Sequence, residues 1–221
     1  MPAPASEREI TFPSGNATLH GIVSIPSAPK AMVVLAHGSG SSHRSKRNSD
    51  TAGVLYDAGF ATLRADLLTV EESALDERTG QYRFDVATLS ERVLAASTFV
   101  GTVTEAQLLP LAYYGASTGA AAALIAAAKR KDVYAMVSRG GRPDLAMSCL
   151  PDVRAATLLI VGGADVPIIP LNEEALKCLS GVKELAIVPG ATHLFEEAGA
   201  LETVGRLTVE WFTRHLPRAR G

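Results

Sequence analysis

The sequence predicts an α/β fold, in which a mostly parallel sheet with an antiparallel hairpin at its N-terminal edge carries helices on both faces. Short apolar runs of strand length alternate along the 221 residues with segments of helical periodicity. Several of the runs are apolar throughout, which is typical of parallel strands buried on both faces. Strands joined through helices in this way place their carboxyl ends along one edge of the sheet.

The first elements are a hairpin and a buried strand. Residues 8–12 and 17–25 alternate apolar and polar side chains, and the turn residues 13–16 lie between them. This pattern predicts two antiparallel strands at the edge of the sheet. The continuous apolar run over 31–36 predicts the first strand of the sheet interior.

The rest of the chain continues the alternation. A polar connection over 66–84 precedes a helix that Asp85 is placed to cap. The apolar residues of that helix share one face: Val86, Leu89, Val93, Ala96 and Val100. The other predicted elements are helices over 50–58, 118–129 and 171–180, strands over 60–65, 108–114, 133–137, 157–161 and 183–188, and a closing helix that carries Trp211. No repeat or linker interrupts the pattern, so we expect residues 1–221 to form a single domain.

Composition argues against several classes of protein. A net charge of -2 provides no global field for nucleic acid or for an anionic membrane surface. We expect neither a membrane span nor a signal peptide, because no apolar stretch is long enough and the first residues are not apolar. Cys149 and Cys178 lack the spacing of a metal site. We therefore expect reduced thiols, no metal or other cofactor, and a cytoplasmic location.

The most informative motif is Gly115-Ala116-Ser117-Thr118-Gly119, which follows an apolar strand and leads into an alanine-rich helix. A serine on such a strand-to-helix turn exposes its hydroxyl at the helix N-terminus, where it can attack a carbonyl carbon. The motif alone is weak, since glycine and serine also mark ordinary turns. The prediction therefore depends on a base, an acid and an oxyanion-binding loop at the ends of other strands.

The predicted general base is His193, because it directly follows the last apolar strand. The other histidines lie in a hairpin strand, in the last helix or before the serine: His20, His215, His37 and His43. Asp165 is the predicted orienting acid, since among the carboxylates between Ser117 and His193 it alone closes a buried strand. The alternative for Asp165 is a helix cap or a turn with Pro167.

An oxyanion hole needs two backbone N–H groups aimed at the developing negative oxygen. We expect one from Thr118 and the other from Ser39, with Gly40 as the alternative to Ser39. Arginines near strand ends are candidates for binding an anionic acyl group: Arg44, Arg47, Arg139 and Arg142. The alternative is that they pair with the acids of residues 66–84 or meet solvent.

Together these motifs resemble the α/β-hydrolase fold, and within it the dienelactone hydrolase-like group, over about residues 35–195. The resemblance rests on His37-Gly38, the Gly115–Gly119 turn, Asp165, and the Gly-x-x-His ending at His193. It implies a serine hydrolase of carboxylic esters that needs no cofactor. Ser117 stands where dienelactone hydrolase itself uses a cysteine, which favours a more general carboxylic ester as the substrate.

The connection over 141–156 is too short for a lid domain. We expect an open site, bordered by residues 66–84 and 141–150, that takes short-chain or small soluble esters. An acyltransferase or a peptidase with the same three residues stays possible at this point, as does a non-catalytic binding protein on the same fold. The expected partner is a small-molecule ester, and the expected state is a monomer or a homodimer.

Overall fold

The backbone of the chain is organised around one sheet, and the computed structural model describes residues 6–218. The strands are β1 (Ser6–Ser14), β2 (Ala17–Ile25), β3 (Met32–Ala36), β4 (Ala61–Ala65), β5 (Leu111–Ala116), β6 (Val133–Arg139), β7 (Ala156–Gly162) and β8 (Lys183–Val188). Their order is β1-β2-β4-β3-β5-β6-β7-β8. β2 pairs antiparallel with β1 and β4, and all other pairs are parallel. The predicted fold class is confirmed.

Helices cover both faces of this sheet. They are α1 (Lys46–Asp57), α2 (Val70–Thr79), α3 (Val86–Val100), α4 (Thr118–Lys129), α5 (Ile169–Cys178) and α6 (Ala200–Arg214). Successive residues of β3 point to opposite faces, as the pleat requires. Val34 joins the core under α3 and α4, whereas Leu35 joins the core under α1 and α6. α4 packs closely on the sheet because its alanines are nearly all fully buried.

The structure adds a helix to the predicted polar connection over 66–84. α2 begins at a capping box in which Thr69 Oγ1 accepts the Glu72 N–H at 3.2 Å and the Glu72 carboxylate accepts the Thr69 N–H at 2.8 Å. Its apolar stripe is weak, since Asp76 is its one buried residue. Without an apolar stripe, sequence periodicity gives little sign of a helix.

Other boundaries differ from prediction where local chemistry decides them. α1 begins at Lys46 rather than 50, because the Ser45 hydroxyl accepts the Asn48 N–H at 3.4 Å and caps the helix. β5 begins after Pro110 and extends to Ala116, immediately before the serine turn. The connection after β6 holds a 3-10 helix, Pro143–Asp152, and no lid domain, as expected. No helix within residues 6–218 combines the length and apolar character needed to cross a bilayer.

The capping box of α2 yields a first prediction. Thr69→Ala removes the side-chain acceptor of the Glu72 N–H, so the free energy of unfolding should fall by about 1 kcal/mol in equilibrium urea denaturation. Thr79→Ala is the matched control, because Thr79 is exposed at the other end of the same helix, where its hydroxyl bonds the Leu75 carbonyl at 2.9 Å. We expect that variant to change stability by less than about 0.5 kcal/mol. Equal losses in the two variants would contradict the capping argument.

Candidate active site

Ser117 occupies the turn between β5 and α4 in a backbone conformation that L-residues rarely adopt, with φ 51° and ψ −122°. Such a conformation costs on the order of 1–3 kcal/mol and persists only where the surroundings enforce it. Gly115 and Gly119 permit it by close approach. A Cβ at Gly115 would collide with the backbone of Ala120, and one at Gly119 with the carbonyl oxygens of Ala36 and His37.

The structure brings Ser117, His193 and Asp165 together at the carboxyl edge of the sheet. Ser117 Oγ lies 3.3 Å from His193 Nε2, and His193 Nδ1 lies 2.7 Å from Asp165 Oδ2. Asp165 is 9% exposed, so its carboxylate is held away from solvent. A serine–histidine distance at the long end of hydrogen bonding is typical of such pairs before substrate binds.

Two loops carry Asp165 and His193, and they are joined by backbone contacts. The loop after β7 ends in Asp165, whose N–H donates to the Gly162 carbonyl at 3.0 Å. The Ala164 N–H donates to the Ala191 carbonyl of the loop after β8 at 2.9 Å. A Cβ at Gly162 would clash with the Ala191 carbonyl oxygen. This close packing fixes the separation between Asp165 and His193.

The predicted oxyanion donors lie on either side of the serine turn. The Ser39 and Thr118 backbone N–H groups donate to no acceptor within residues 6–218. The two side chains contact each other, with Ser39 Oγ 3.0 Å from Thr118 Oγ1. A Cβ at Gly38 would lie 3.0 Å from Ser117 Cβ, so the loop after β3 runs directly beside the serine. Gly40 has a φ of +66°, which lets the chain turn away after Ser39.

Two adjoining cavities open on this edge and share Gly38, Ser39 and Ser41 in their walls. The first, here called the nucleophile cavity, is about 120 Å³ in volume and is lined by Ser117, His193, Arg139, Arg47, Asn48 and Leu194 among others. The second, here called the serine-lined cavity, is about 270 Å³ and reaches Thr118, Leu67, Leu68, Ser73 and Arg83. Residues 66–84 therefore border the site as expected, whereas residues 141–150 line neither cavity.

The candidate arginines divide into two pairs. Arg139 and Arg47 line the nucleophile cavity, and Arg44 and Arg142 line neither cavity. Three of them form ion pairs with carboxylates outside residues 66–84: Arg44 with Glu9 at 2.6 Å, Arg47 with Glu196 at 2.8 Å, and Arg142 with Asp144 at 2.8 Å. Arg139 is 8% exposed and its Nη1 has no hydrogen-bond partner within residues 6–218.

Sequence reasoning missed a second histidine–aspartate pair at the same edge. His43 Nδ1 lies 2.7 Å from Asp66 Oδ2, and the His43 backbone N–H donates to Asp66 Oδ1 at 2.8 Å. His37, also buried, accepts the Leu67 N–H on Nε2 at 3.1 Å. The available signal was that Asp66 directly follows an apolar strand, as Asp165 does. Residues 6–218 contain no group of side chains suited to hold a metal ion.

Burial sets the protonation state of His37. Desolvation lowers the pKa of His37 below its ordinary value of 6.5, and its hydrogen bond to the Gly38 carbonyl and the nearby Asp66 carboxylate oppose this only in part. The imidazole is therefore neutral at neutral pH. A neutral ring is required here, because Nε2 must keep its lone pair to accept the Leu67 N–H.

Comparison with solved structures finds a close relative along the whole chain. A dienelactone hydrolase from Anabaena variabilis is 49% identical, with a TM-score of 0.94 over 97% of this chain and 100% of that one. A Xanthomonas campestris protein described as a member of the α/β serine hydrolases without a lid is 20% identical, with a TM-score of 0.78 over 100% of both chains. At that identity the second likeness concerns the fold alone.

Curated sequences include a Mycobacterium tuberculosis protein, recorded from two strains and described as a "putative phosphoribosyl transferase". It is 48% identical over 214 residues, which cover 96% of this chain and 47% of the relative. The chain thus spans about half the length of the curated relatives it matches. No family model matches the sequence.

The lowered pKa of His37 predicts a pH dependence of stability. In the unfolded chain His37 binds a proton below about pH 6.5, while the folded chain resists it, so acidification favours unfolding. Between about pH 7.5 and about pH 5.5, the free energy of unfolding should fall less in His37→Gln than in the wild type. His20→Gln is the control, because His20 is exposed on β2. Parallel pH profiles for the wild type and His37→Gln, measured by urea denaturation, would refute this interpretation.

Proposed function

The chain belongs to the dienelactone hydrolase family, and we propose that it is a serine hydrolase that cleaves short-chain or small soluble carboxylic esters through an acyl-enzyme on Ser117. One observation carries the proposal. Ser117 Oγ, His193 and the Asp165 carboxylate form a continuous chain, with separations of 3.3 Å and 2.7 Å. This arrangement is the one that nucleophilic acyl transfer requires.

In the first half of the reaction, Ser117 Oγ attacks the ester carbonyl carbon while His193 Nε2 accepts the hydroxyl proton. Asp165 accepts the Nδ1–H of His193, which leaves the lone pair of Nε2 directed at the serine. The carbonyl oxygen becomes negative and is stabilised by the N–H groups of Ser39 and Thr118. Each such donor typically contributes about 2.7–4 kcal/mol to transition-state stabilisation.

In the second half, His193 returns its proton to the leaving alcohol oxygen as the carbon–oxygen bond breaks. Water then attacks the acyl-enzyme while His193 accepts one of its protons. As the bond between the acyl carbon and Ser117 Oγ breaks, His193 returns that proton to Ser117 Oγ and the carboxylic acid is released. The N-terminus of α4 beneath Ser117 favours the negative intermediate through its partial positive charge.

The size of the site supports a small substrate. The nucleophile cavity holds about 120 Å³, and the connection after β6 adds no lid that could enclose a long acyl chain. The geometry at Ser117 favours acyl transfer over the phosphoribosyl transfer for which the curated relatives are named, and the match covers only 47% of their length. We further propose a cytoplasmic location, consistent with the free thiols of Cys149 and Cys178.

Arg139 supports a preference for an ester that carries a carboxylate. Arg139 lines the nucleophile cavity together with Ser117 and is 8% exposed, and no carboxylate of residues 6–218 pairs with it. The guanidinium carbon lies 5.7 Å from the centre of the Phe195 ring, close enough for a cation–π contact. A buried cation without a counter-ion is unfavourable, so a ligand anion would compensate it. A carboxylate matches the planar donor fork of arginine.

The central prediction concerns Ser117. Ser117→Ala should lower kcat for 4-nitrophenyl esters by roughly five to six orders of magnitude, leaving a small rate from binding and the oxyanion hole. Wild-type activity should decrease as the acyl chain lengthens. Ser148→Ala is the control, because Ser148 is exposed on the 3-10 helix. Release of free acid in step with the alcohol would identify water as the acyl acceptor.

A phosphonate probe tests the same proposal without a chosen substrate. Mass spectrometry should find one adduct, on Ser117, that is missing from Ser117→Ala. If folded wild-type protein remains unlabelled and hydrolyses no ester, the hydrolase proposal fails and a binding function on this fold takes its place.

A further prediction concerns Arg139. The experiment compares kcat/KM for mono(4-nitrophenyl) succinate, which carries a carboxylate on the acyl group, with kcat/KM for 4-nitrophenyl butyrate, which is neutral. A second pair of esters, one anionic and one neutral, carries the carboxylate on the phenol instead. Loss of a charge-assisted hydrogen bond in Arg139→Met should reduce the anionic-to-neutral ratio by about ten-fold or more. The pair that responds identifies which side of the ester holds the anion.

Arg206→Gln is the charge-matched control, because Arg206 pairs with Glu210 on the exposed face of α6. Arg139→Met should also melt at the wild-type temperature or above it, since it removes an uncompensated buried charge. If the anionic-to-neutral ratio of kcat/KM is near one in the wild type and unchanged in Arg139→Met, the anionic substrate is refuted and the hydrolase proposal is left intact.

A further inference from the structure

The loop after β3 carries the proposed oxyanion donor Ser39, and the residues that hold this loop come directly after the neighbouring strand. β4 ends at Ala65, and Asp66 and Leu67 follow it directly. Both contact the loop. Leu67 donates its N–H to His37 Nε2 at 3.1 Å, before Ser39, and Asp66 binds His43, after Ser39. The loop is thus anchored on both sides of Ser39 by two consecutive residues.

The Asp66–His43 contact is the stronger anchor, because one carboxylate accepts two hydrogen bonds from one residue. Asp66 Oδ1 accepts the His43 backbone N–H at 2.8 Å, and Asp66 Oδ2 lies 2.7 Å from His43 Nδ1. His43 is 8% exposed. Charge-assisted hydrogen bonds of this length, shielded from water, restrain both the backbone and the ring.

Arg44 determines which nitrogen of His43 carries the proton. The Nε of Arg44 donates to His43 Nε2 at 3.1 Å, so Nε2 must present a lone pair. Nδ1 therefore carries a proton, which points at Asp66. Arg44 is held in turn by Glu9 at 2.6 Å. His43 Nε2 is occupied and lines neither cavity, so this pair has no part in proton transfer to substrate.

We propose that Asp66, acting through His43, is the positioning residue that holds the Ser39 backbone N–H in the oxyanion hole. The inference rests on the proposed hydrolase function. Three residues separate Ser39 from His43 along the chain. The last of them, Ser42, is also held, because the Asn48 side chain donates to the Ser42 carbonyl at 2.8 Å. Within residues 6–218, the one hydrogen bond of Ser39 is its 3.0 Å contact with Thr118, and Ser39 is exposed. Its backbone therefore depends on these anchors.

The physical consequence is specific to the transition state. Substrate binding does not require a donor at the position of the negative oxygen, whereas the tetrahedral intermediate does. Releasing the loop should therefore lower kcat and leave KM nearly unchanged. A purely structural role would instead lower the melting temperature without a selective effect on kcat.

The experiment compares Asp66→Ala and Asp66→Asn with the wild type, using 4-nitrophenyl acetate and a trifluoromethyl ketone that forms a tetrahedral adduct on serine. We expect kcat to fall about ten- to hundred-fold in Asp66→Ala, part of the 10²–10³ expected for a lost oxyanion donor, with KM within about two-fold. Asp66→Asn keeps the size and one acceptor oxygen, so its loss should be smaller. The Ki of the ketone should rise by the same factor as kcat/KM falls.

Asp85→Ala is the matched control, because the Asp85 carboxylate also accepts two hydrogen bonds, from the N–H and hydroxyl of Thr88 at 3.1 Å and 2.7 Å, at the start of α3. It should reduce stability and leave kcat within about two-fold. If Asp66→Ala does not fold, Asp66→Asn and His43→Gln carry the test. Folded Asp66 variants with unchanged kcat and Ki would overturn the inference alone. A wild type that neither hydrolyses esters nor reacts with a phosphonate would overturn the proposed function and this inference with it.

Discussion

The site depends on one steric constraint, the close approach of the Ser117 turn to the end of β3. Gly119 brings α4 against the carbonyl oxygens of Ala36 and His37, where no side chain would fit. That contact holds Ser117 at a φ of 51° and sets the loop after β3 beside it. The backbone cost of the turn is repaid by the apolar burial of β5 and α4, whose residues are almost all inaccessible to water. The buried strand β5 and helix α4 thus support the strained turn at Ser117 between them.

The strands, and the polar residues that follow them at one edge of the sheet, could be predicted from sequence for a common physical reason. Parallel strands buried on both faces give continuous apolar runs, and their carboxyl ends share an edge, so a polar residue directly after a run points to that edge. Ser117, Asp165 and His193 all satisfy this rule, and the structure brings them together. α2 was not predicted because it buries little apolar surface. In a segment without a periodic apolar pattern, the capping box is the one sequence signal that indicates such a helix.

The pairing of the arginines could not be predicted, because it depends on residues distant in sequence. Arg47 meets Glu196 and Arg44 meets Glu9, partners that no local pattern identifies. Only in the folded chain does Arg139 differ from the others, as a buried cation with no carboxylate partner within residues 6–218. Stability alone would favour a carboxylate partner or an uncharged residue at this position, because an unpaired buried charge destabilises the fold. Its position beside Ser117 links the unfavourable charge to the proposed substrate preference.

Two histidine–aspartate pairs at one sheet edge differ in a single feature, the group that faces Nε2. Both rings lie 2.7 Å from their carboxylate through Nδ1. The Nε2 of His193 faces the Ser117 hydroxyl, whereas the Nε2 of His43 accepts the Nε–H of Arg44. The Arg44 guanidinium keeps its proton while it donates this hydrogen bond, so His43 Nε2 cannot take a proton from it. In our proposal the second pair therefore restrains the loop and transfers no proton. In the proposed mechanism, the same two side chains therefore take part in proton transfer in one pair and hold a loop in the other, because the third partner is a serine hydroxyl in one pair and a permanent cation in the other.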